Sequence, residues 1–369
     1  MNNKPLLGPC DSYQLEPFAY PWAWEMARQQ EANTWTPEEI QVGPDVADYK
    51  NPALDPRHKH LFESVMAQLT TFDILRGDEI AECLQPIFQP AEIKHFLKRM
   101  AWDEALHTRS YRYVIENVGT PLEIYTRYKT VPEFDARVEQ CHDRSLPLLA
   151  ILSRVYDLRD PYNPVYFHTL DTRAKQDILR SMIFYFLIFE GVRFWISLMG
   201  PIQQLARLGV FKGAAEQFSY IARDEQQHVG FGVQLIREFM DQHPECLTKE
   251  FLEQIYSDVD QAIKLEADYI SHCLKDGPIL GYSSFDHVIT AKYFANLRLG
   301  SVGLAAPFPE AYHAFPWMSE AMELKKEKNF FETRVTEYQA GASLSFDDCC
   351  PSHDQPGWSD PLQVLGVMP

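Results

Sequence analysis

Basic residues and ordered cysteine patterns are both scarce in this sequence. The chain has 34 Lys and Arg against 52 Asp and Glu, which gives a formal net charge of −18 at pH 7. Nucleic acids and anionic membrane surfaces attract clustered Lys and Arg, so this balance argues against both as partners. The seven cysteines are scattered apart from Cys349 and Cys350, and they match neither a disulfide framework nor a zinc-site spacing. We therefore expect a reduced protein of the cytoplasm.

Membrane-directed segments are lacking as well. The first five residues contain no apolar run of the kind that a signal peptide needs, so we expect none. The one long apolar stretch, residues 182–199, carries Glu190 and Arg193 near its middle. A spanning helix needs about 20 mostly apolar residues and rarely tolerates such charges. The stretch therefore predicts a helix buried in a protein core.

Strand signals are nearly absent, and helical periodicity dominates the chain. Prolines and glycines separate predicted helices at about 22–33, 59–84, 91–117, 132–157, 172–207, 213–240, 248–275 and 284–299. Residues 1–57 form an expected arm with a short helix and a loop over 41–57, residues 58–300 one helical domain, and residues 301–369 a C-terminal segment with a flexible tail. The pattern predicts an all-α protein.

Two of the predicted helices carry the same motif, Asp-Glu-x-x-His. It supplies Glu104 and His107 in one helix and Glu225 and His228 in the other. On a helix, residues three apart project from one face, so each pair can grip a metal ion. The shorter pattern Glu-x-x-His is weak evidence by itself, because it also occurs at residues 92–95, 139–142 and 310–313. Such pairs are usually solvated helix faces.

The context of the two motifs separates them from the other three. Asp73 lies 31 residues before Glu104 in an apolar helical pattern, and Glu190 lies 35 residues before Glu225 in the long apolar stretch. The chain therefore repeats one hairpin: a helix with a buried carboxylate, then a helix with Glu-x-x-His. Two facing hairpins would supply four carboxylates and two imidazoles to a dinuclear iron or manganese site in a four-helix bundle.

A structural alternative exists for the two isolated carboxylates. Either Asp73 or Glu190 could pair with a base such as Arg76 or Arg193 instead of binding a metal ion. The duplicated register of the four carboxylates and two histidines favours the metal site.

Two further residues stand beside this expected site. Tyr111 follows His107 by four residues and shares its helix face, so its phenol should lie near the metal ions. Such a tyrosine is either a packing residue or a group that the metals can oxidise. Asp224 precedes Glu225 and is either a surface acid or the acceptor of the outer N–H of a ligand histidine.

Taken together, these motifs resemble a known family, the small radical-generating subunit of class I ribonucleotide reductase. The resemblance extends from about Trp35 to Tyr338. It rests on Trp35-Thr-Pro-Glu-Glu39, the Asp73 helix, Glu104-Ala-Leu-His-Thr-Arg-Ser-Tyr111, Phe189-Glu-Gly-Val-Arg-Phe194, Arg223-Asp-Glu-Gln-Gln-His228 and Asn329-Phe-Phe-Glu-Thr-Arg-Val-Thr-Glu-Tyr338.

The resemblance implies a ferritin-like four-helix bundle core with additional helices, assembled as a homodimer. It implies two metal ions per subunit, as iron, manganese or a mixed manganese–iron pair, that react with O₂. The implied metal ligands are Asp73, Glu104, His107, Glu190, Glu225 and His228. The implied tyrosyl radical is on Tyr111, with Phe194, Leu198 and Ile221 as its apolar surroundings.

The family also implies a long radical path and a partner. The path is expected to run from His107 through Asp224 and Trp35 to Tyr338 on the tail, which docks on a large catalytic subunit. That subunit would then reduce ribonucleotides. The tail departs from the family pattern, which is typically acidic and aromatic, and the Cys349–Cys350 pair lies outside that pattern too. The residues expected to anchor the tail on the large subunit are Trp358, Leu362 and Leu365.

Other functions remain open at this stage. A ligand-binding oxidase or hydroxylase on the same bundle would keep the metal ions but act on a bound organic substrate. Such relatives usually have Glu at the position of Asp73 and do not need a tail tyrosine such as Tyr338. Iron storage is disfavoured, because storage proteins are much shorter and assemble into cages. A scaffold that has lost its metal is disfavoured by the intact ligand set.

Overall fold

Helices account for the regular structure of the chain, as the sequence predicts. The computed structural model describes residues 5–8, 15–155 and 169–318. Within these ranges it contains no strand, and one isolated bridge joins Ile279 to Tyr282. The prediction of an all-α protein is therefore confirmed.

The helices follow one another closely along the chain. They are α1 (Pro21–Ala32), α2 (Gly43–Lys50), α3 (Pro56–Asp78), α4 (Ala91–Val118), α5 (Arg127–Thr130), α6 (Pro132–Val155), α7 (Thr172–Met182), α8 (Gly200–Arg207), α9 (Lys212–Gln242), α10 (Lys249–Cys273) and α11 (Ser284–Ser301). Two π-helical segments, Glu79–Leu84 and Ile183–Met199, extend α3 and join α7 to α8. In the described part of the chain, short 3₁₀ turns include Pro37–Glu39, Leu122–Thr126 and Pro244–Cys246.

Four long elements form the central bundle: α3, α4, the continuous helix α7–π–α8, and α9. The helix α3 packs on α4, and α9 packs on the π-helical segment of the third element. The remaining helices cover this core, with α1 against α4 and with α10 and α11 against each other and the π segment. This arrangement sets the two hairpins of the sequence face to face.

The long apolar stretch lies at the centre of the bundle. Every residue of Ile183–Met199 is buried. The helix Thr172–Arg207 is long and apolar enough to cross a membrane, but its most apolar window is entirely buried inside the protein. A helix that is apolar on all sides and is covered by other helices is a core element. The stretch is therefore a core helix and not a membrane span.

The predicted loop over residues 41–57 is wrong in part, because Gly43–Lys50 is helical. Gly, Pro and Asp suggested a loop, but Pro44 lies in the first helical turn, where its missing N–H costs nothing. The buried side chain of Asp45 accepts hydrogen bonds from the backbone N–H groups of Gly213 (2.8 Å) and Ala214 (2.6 Å). The helix α2 therefore caps the N-terminus of α9, which carries part of the site.

Close packing between α9 and the π segment depends on a glycine. A Cβ atom added at Gly232 would lie 2.2 Å from Cγ of Phe186, well inside the contact distance of real side chains. Phe231, its neighbour, stacks on Phe96 of α4 with ring centroids 3.9 Å apart. The glycine thus lets three bundle elements approach one another around an aromatic cluster.

Replacing Gly232 with Ala should destabilise the fold, because Phe186 must leave its rotamer or α9 must shift. We expect a loss of about 1–3 kcal/mol or more in the free energy of unfolding, measured by urea denaturation. The matched control is Gly300→Ala, at an exposed helical position where an added Cβ meets nothing within 4 Å. That change should be neutral or stabilising by about 0.5–1 kcal/mol. Equal stability of the two variants would contradict the packing argument.

Candidate metal centre

The bundle brings all six expected metal ligands together. Their ligand atoms fall into two buried groups, in each of which all the atoms lie within 4.8 Å of one another. One group comprises Asp73, Glu104 and His107; the other comprises Glu104, Glu190, Glu225 and His228. Glu104 belongs to both groups. The arrangement therefore offers two neighbouring ion positions that share a carboxylate.

The inner nitrogens of the two histidines face the carboxylates. Nδ1 of His107 lies 3.6 Å from Glu104 Oε2 and 3.4 Å from Glu225 Oε1. Nδ1 of His228 lies 3.5 Å from Glu104 Oε1 and 3.6 Å from Glu225 Oε2. Two ligand atoms that are each about 2 Å from a shared ion are separated by roughly 3–4 Å. Glu104 and Glu225 thus each offer one oxygen to either ion position.

The orphaned atoms of the cluster test whether metal ions fit it. Six buried atoms, one from each expected ligand, have no hydrogen-bond partner in the protein: Asp73 Oδ2, Glu104 Oε1, His107 Nδ1, Glu190 Oε2, Glu225 Oε2 and His228 Nδ1. Buried polar atoms are nearly always satisfied, and a set of anionic oxygens and imidazole nitrogens is a ligand set for iron or manganese. The residues therefore fit a dimetal site.

The outer nitrogens of the histidines are held by a crossed pair of aspartates. Nε2 of His107 lies 3.3 Å from Oδ2 of Asp224, and Nε2 of His228 lies 3.4 Å from Oδ2 of Asp103. Each aspartate thus comes from one Asp-Glu-x-x-His motif and contacts the histidine of the other. This contact orients the ring and turns Nδ1 towards the cluster.

The sequence analysis assigned this role to Asp224 but missed Asp103. The signal was present in the sequence, because both motifs place Asp directly before Glu. Asp103 is fully buried, accepts a hydrogen bond from Gln30 Nε2 (2.9 Å) and forms an ion pair with Arg99 Nη2 (2.7 Å). These contacts hold it in place behind His228.

Trp35 joins the outer side of the cluster. Its indole Nε1 donates a 2.7 Å hydrogen bond to Oδ2 of Asp224, the same oxygen that faces His107. The Trp35 ring packs on Tyr220 with centroids 5.4 Å apart, and Thr36 and Glu39 form a capping box directly after it. Trp35, Asp224 and His107 therefore form one continuous chain of polar contacts from the buried indole to the cluster.

Tyr111 is buried beside Asp73. Burial and the nearby Asp73 carboxylate raise the pKa of its hydroxyl well above the ordinary value. The hydroxyl has no well-aligned hydrogen bond, and the ring contacts Phe218 at a centroid distance of 5.8 Å. Phe218 was not among the predicted surroundings. The three predicted residues, Phe194, Leu198 and Ile221, are also buried.

Burial and mutual repulsion dominate the electrostatics of the cluster. Burial raises the pKa of Asp73 and Glu104, and neighbouring carboxylates raise both further. Burial would lower the pKa of His107 and His228, but acceptor contacts to Asp224, Asp103 and the glutamates raise both well above the ordinary value. Burial acts against ionisation of Glu225, yet the two histidines lower its pKa to about 2. The buried carboxylates of the cluster therefore need positive charge close by to remain ionised.

Of the two isolated carboxylates, Glu190 is the one that pairs with an arginine. Oε1 of Glu190 accepts a hydrogen bond from Nε of Arg76, while its Oε2 is one of the orphaned atoms. Arg193 pairs instead with Glu266, at 2.9 Å. Glu190 thus serves an arginine with one oxygen and faces the cluster with the other.

The three other Glu-x-x-His patterns have different roles. Glu92 accepts backbone hydrogen bonds from Ala19 (2.7 Å) and Tyr20 (2.8 Å) and fastens the N-terminal arm to α4. Glu139 and His142 are both exposed on α6. Glu310 forms an ion pair with Lys292 at 2.6 Å. None of the three joins the buried groups.

Several predicted residues lie outside the described part of the chain. They are Tyr338, the Cys349–Cys350 pair, and the expected tail anchors Trp358, Leu362 and Leu365. Of the predicted C-terminal segment 301–369, residues up to 318 are described, and Phe308, Phe315 and Met318 among them are buried.

Comparisons with known proteins agree with this site. The family model described as "Ribonucleotide reductase, small chain" matches residues 12–316. The ribonucleoside-diphosphate reductase subunit beta of Chlamydia pneumoniae is 32% identical over 337 residues, which cover 91% of this chain and 92% of that protein. Ribonucleoside-diphosphate reductase 1 subunit beta of Escherichia coli O157:H7 is 27% identical over 296 residues, 77% of each chain.

Solved structures share the fold. The ribonucleotide reductase R2 subunit of Clostridium botulinum superimposes with a TM-score of 0.69 at 21% identity, covering 82% of this chain and 88% of that one. The dimanganese(II)-NrdF of Streptococcus sanguinis superimposes with a TM-score of 0.66 at 16% identity, covering 85% and 99%. The helical fold is therefore ferritin-like, as expected.

Asp103→Ala should weaken metal binding, because His228 would lose the contact that orients its ring. We expect the affinity for Mn(II) to fall by about 10–100-fold, measured by titration of the metal-free protein. Glu139→Ala provides the control, since it removes the glutamate of an exposed Glu-x-x-His pair. An unchanged affinity in the Asp103 variant, or an equal loss in both variants, would speak against the crossed aspartates.

Proposed function

The chain belongs to the ribonucleotide reductase small-chain family, and from this premise we propose that its buried cluster holds two metal ions that oxidise Tyr111 to a stable radical. The protein is the small subunit of a ribonucleoside-diphosphate reductase, an oxidoreductase. The observation that carries the proposal is the convergence of six orphaned ligand atoms beside a buried phenol. The relatives support this function over a ligand-binding oxidase.

The proposed ligands divide the work between two positions. Asp73 and His107 serve one ion, Glu190 and His228 serve the other, and Glu104 and Glu225 lie between them. When bound, the two metal ions would supply electrons to O₂ and would then serve as the oxidant of Tyr111. The surrounding side chains would align the ligands and keep water out of the buried site.

Oxidation of Tyr111 removes one electron and one proton from its hydroxyl group. A bound metal centre would take the electron, and the Asp73 carboxylate beside the hydroxyl would accept the proton. Burial protects the resulting neutral radical from water and from external reductants. The ring of Phe218 packs against Tyr111, and we propose that the buried Phe194, Leu198 and Ile221 complete its apolar surroundings.

The radical leaves the cluster along the polar chain already described. We propose that it passes from the His107 side through Asp224 to Trp35, and then to Tyr338 on the tail. The 2.7 Å hydrogen bond between Trp35 and Asp224 supports the inner part of this path, because it keeps the indole in contact with the metal-side histidine. The tail would then deliver the oxidising equivalent to the large subunit.

Family membership implies a large-subunit partner and a homodimer. We propose that residues Trp358, Leu362 and Leu365 of the tail form the contact with the large subunit, and that the complex works in the cytoplasm. The cluster is chemically suited to two iron ions, two manganese ions or a mixed manganese–iron pair, because carboxylate-rich sites accept both metals. A structural relative is named as a dimanganese(II) protein, which makes manganese a specific candidate.

Tyr111→Phe should abolish the radical while preserving the metal site, because only the oxidisable hydroxyl is removed. Loading the wild-type protein with Fe(II), or with Mn(II) where iron gives no signal, and exposing it to O₂ should give a tyrosyl signal in low-temperature EPR. The Phe variant should bind the same amount of metal and give no such signal. A tyrosyl signal of wild-type strength in the variant would place the radical on another residue.

Tyr338→Phe should leave the Tyr111 signal intact and abolish turnover with the large subunit, because phenylalanine cannot carry the radical onward. The matched control is Tyr312→Phe, which alters a half-exposed tyrosine just before the tail. Ribonucleotide reduction and EPR are measured on the same samples. Wild-type turnover in the Tyr338 variant, or equal loss in both variants, would refute the relay through Tyr338.

A further inference from the structure

Arg76 is a buried cation directly behind the proposed metal centre. It lies on α3 three residues after Asp73 and has no exposed surface. Its Nε donates to Oε1 of Glu190, and its Nη1 donates to Oε2 of Glu79. The guanidinium also lies over the rings of Phe186 (4.8 Å) and Tyr185 (5.0 Å). These contacts fix the position of the guanidinium. Because burying a charge is costly, its placement here calls for a functional explanation.

The contact with Arg76 limits what Glu190 can offer a metal ion. One carboxylate oxygen is engaged by the guanidinium, and the other, Oε2, has no partner in the protein. Glu190 is thus prepared to bind through a single oxygen. At the opposite end of the cluster, the ion-pair contact that the structure describes for Asp73 is with His107, not with an arginine. The two ion positions therefore differ in their terminal carboxylates.

The same contact makes the two positions electrostatically unequal. A guanidinium bonded to Glu190 repels a divalent cation at the adjacent position and withdraws electron density from the oxygen that would bind it. Glu79 offsets part of this charge but lies on the far side of Arg76, since it bonds to the other end of the guanidinium. Among the described residues, the ion-pair contacts of Asp73 and His107 include no arginine.

We propose that Arg76 is a positioning residue that restricts Glu190 to one-oxygen binding and makes the His228 position the weaker of the two. The inference rests on the proposed dinuclear centre. It predicts that the metal ions bind in order, with the Asp73–His107 position occupied first.

The test is a titration of the metal-free full-length chain with Mn(II), in which the EPR signal of free Mn(II) reports the bound fraction. The wild-type protein should bind two ions per chain in two resolved steps, about tenfold or more apart in affinity. His228→Ala should remove the weaker step and keep the tighter one. Arg76→Met combined with Glu79→Gln removes the guanidinium together with its Glu79 partner and frees Oε1 of Glu190 for the second ion. The weaker step should tighten by about tenfold, and the tighter step should change by less than about twofold.

Two control variants separate the role of Arg76 from a structural role. Arg76→Lys keeps a charged donor near Glu190 and should retain the wild-type order of the two steps. Arg180→Met combined with Asp258→Asn removes a different ion pair, at 2.6 Å, and should leave both steps unchanged. Circular dichroism verifies folding of each variant. If the Arg76/Glu79 variant does not fold, Arg76→Gln carries the same expectation with a smaller gain.

The outcomes distinguish this inference from the proposed function. Two bound ions with unchanged affinities in the folded Arg76→Met/Glu79→Gln or Arg76→Gln variants, or equal changes in both steps, would overturn the role of Arg76 and leave the dinuclear centre standing. Loss of the second ion in those variants would show that Arg76 supports the position instead of weakening it, and would also overturn the inference. Fewer than two ions in the wild-type chain would overturn the dinuclear centre itself.

Discussion

Negative charge in the protein core is the constraint on which the rest of this structure depends. Asp73, Glu104, Glu190 and Glu225 are all buried in one cluster, and burial opposes ionisation of each of them. Carboxylates so close together cannot all be charged unless cations lie between them. Arg76 supplies part of that positive charge, beside Glu190. Two divalent ions would supply the remainder, so the bundle is built to be completed by metal.

The bundle meets this constraint with contacts that cross between its two hairpins. Asp103 orients His228, and Asp224 orients His107, so neither motif can hold its histidine without the other. The same oxygen of Asp224 also accepts the indole N–H of Trp35. One set of side chains therefore assembles the proposed metal site and connects it to Trp35. This connection couples the proposed oxidation of Tyr111 to the proposed exit path.

Sequence periodicity was sufficient for the features that repeat along the chain. The recurring interval between a buried carboxylate and Asp-Glu-x-x-His identified the two hairpins, and the apolar run around Glu190 identified the central helix. Contacts between distant segments were not accessible in this way. Arg76 and Glu190 are 114 residues apart, and Asp45 and Gly213 are 168 apart. The sequence offered Arg76 and Arg193 as possible partners of Asp73 and Glu190 but could not choose among the pairings. Nothing local marks residues 43–50 as a helix that caps α9, because only the packed bundle brings these groups together.

The most direct test of the account is anomalous X-ray diffraction from crystals of the Mn(II)-loaded protein, recorded at the manganese edge. The account predicts two peaks about 3.5–4 Å apart, with Glu104 and Glu225 between them, one histidine Nδ1 on each ion and Tyr111 alongside. A single peak in the bundle would contradict it. So would two ions bound elsewhere, for example beside the exposed pair of Glu139 and His142.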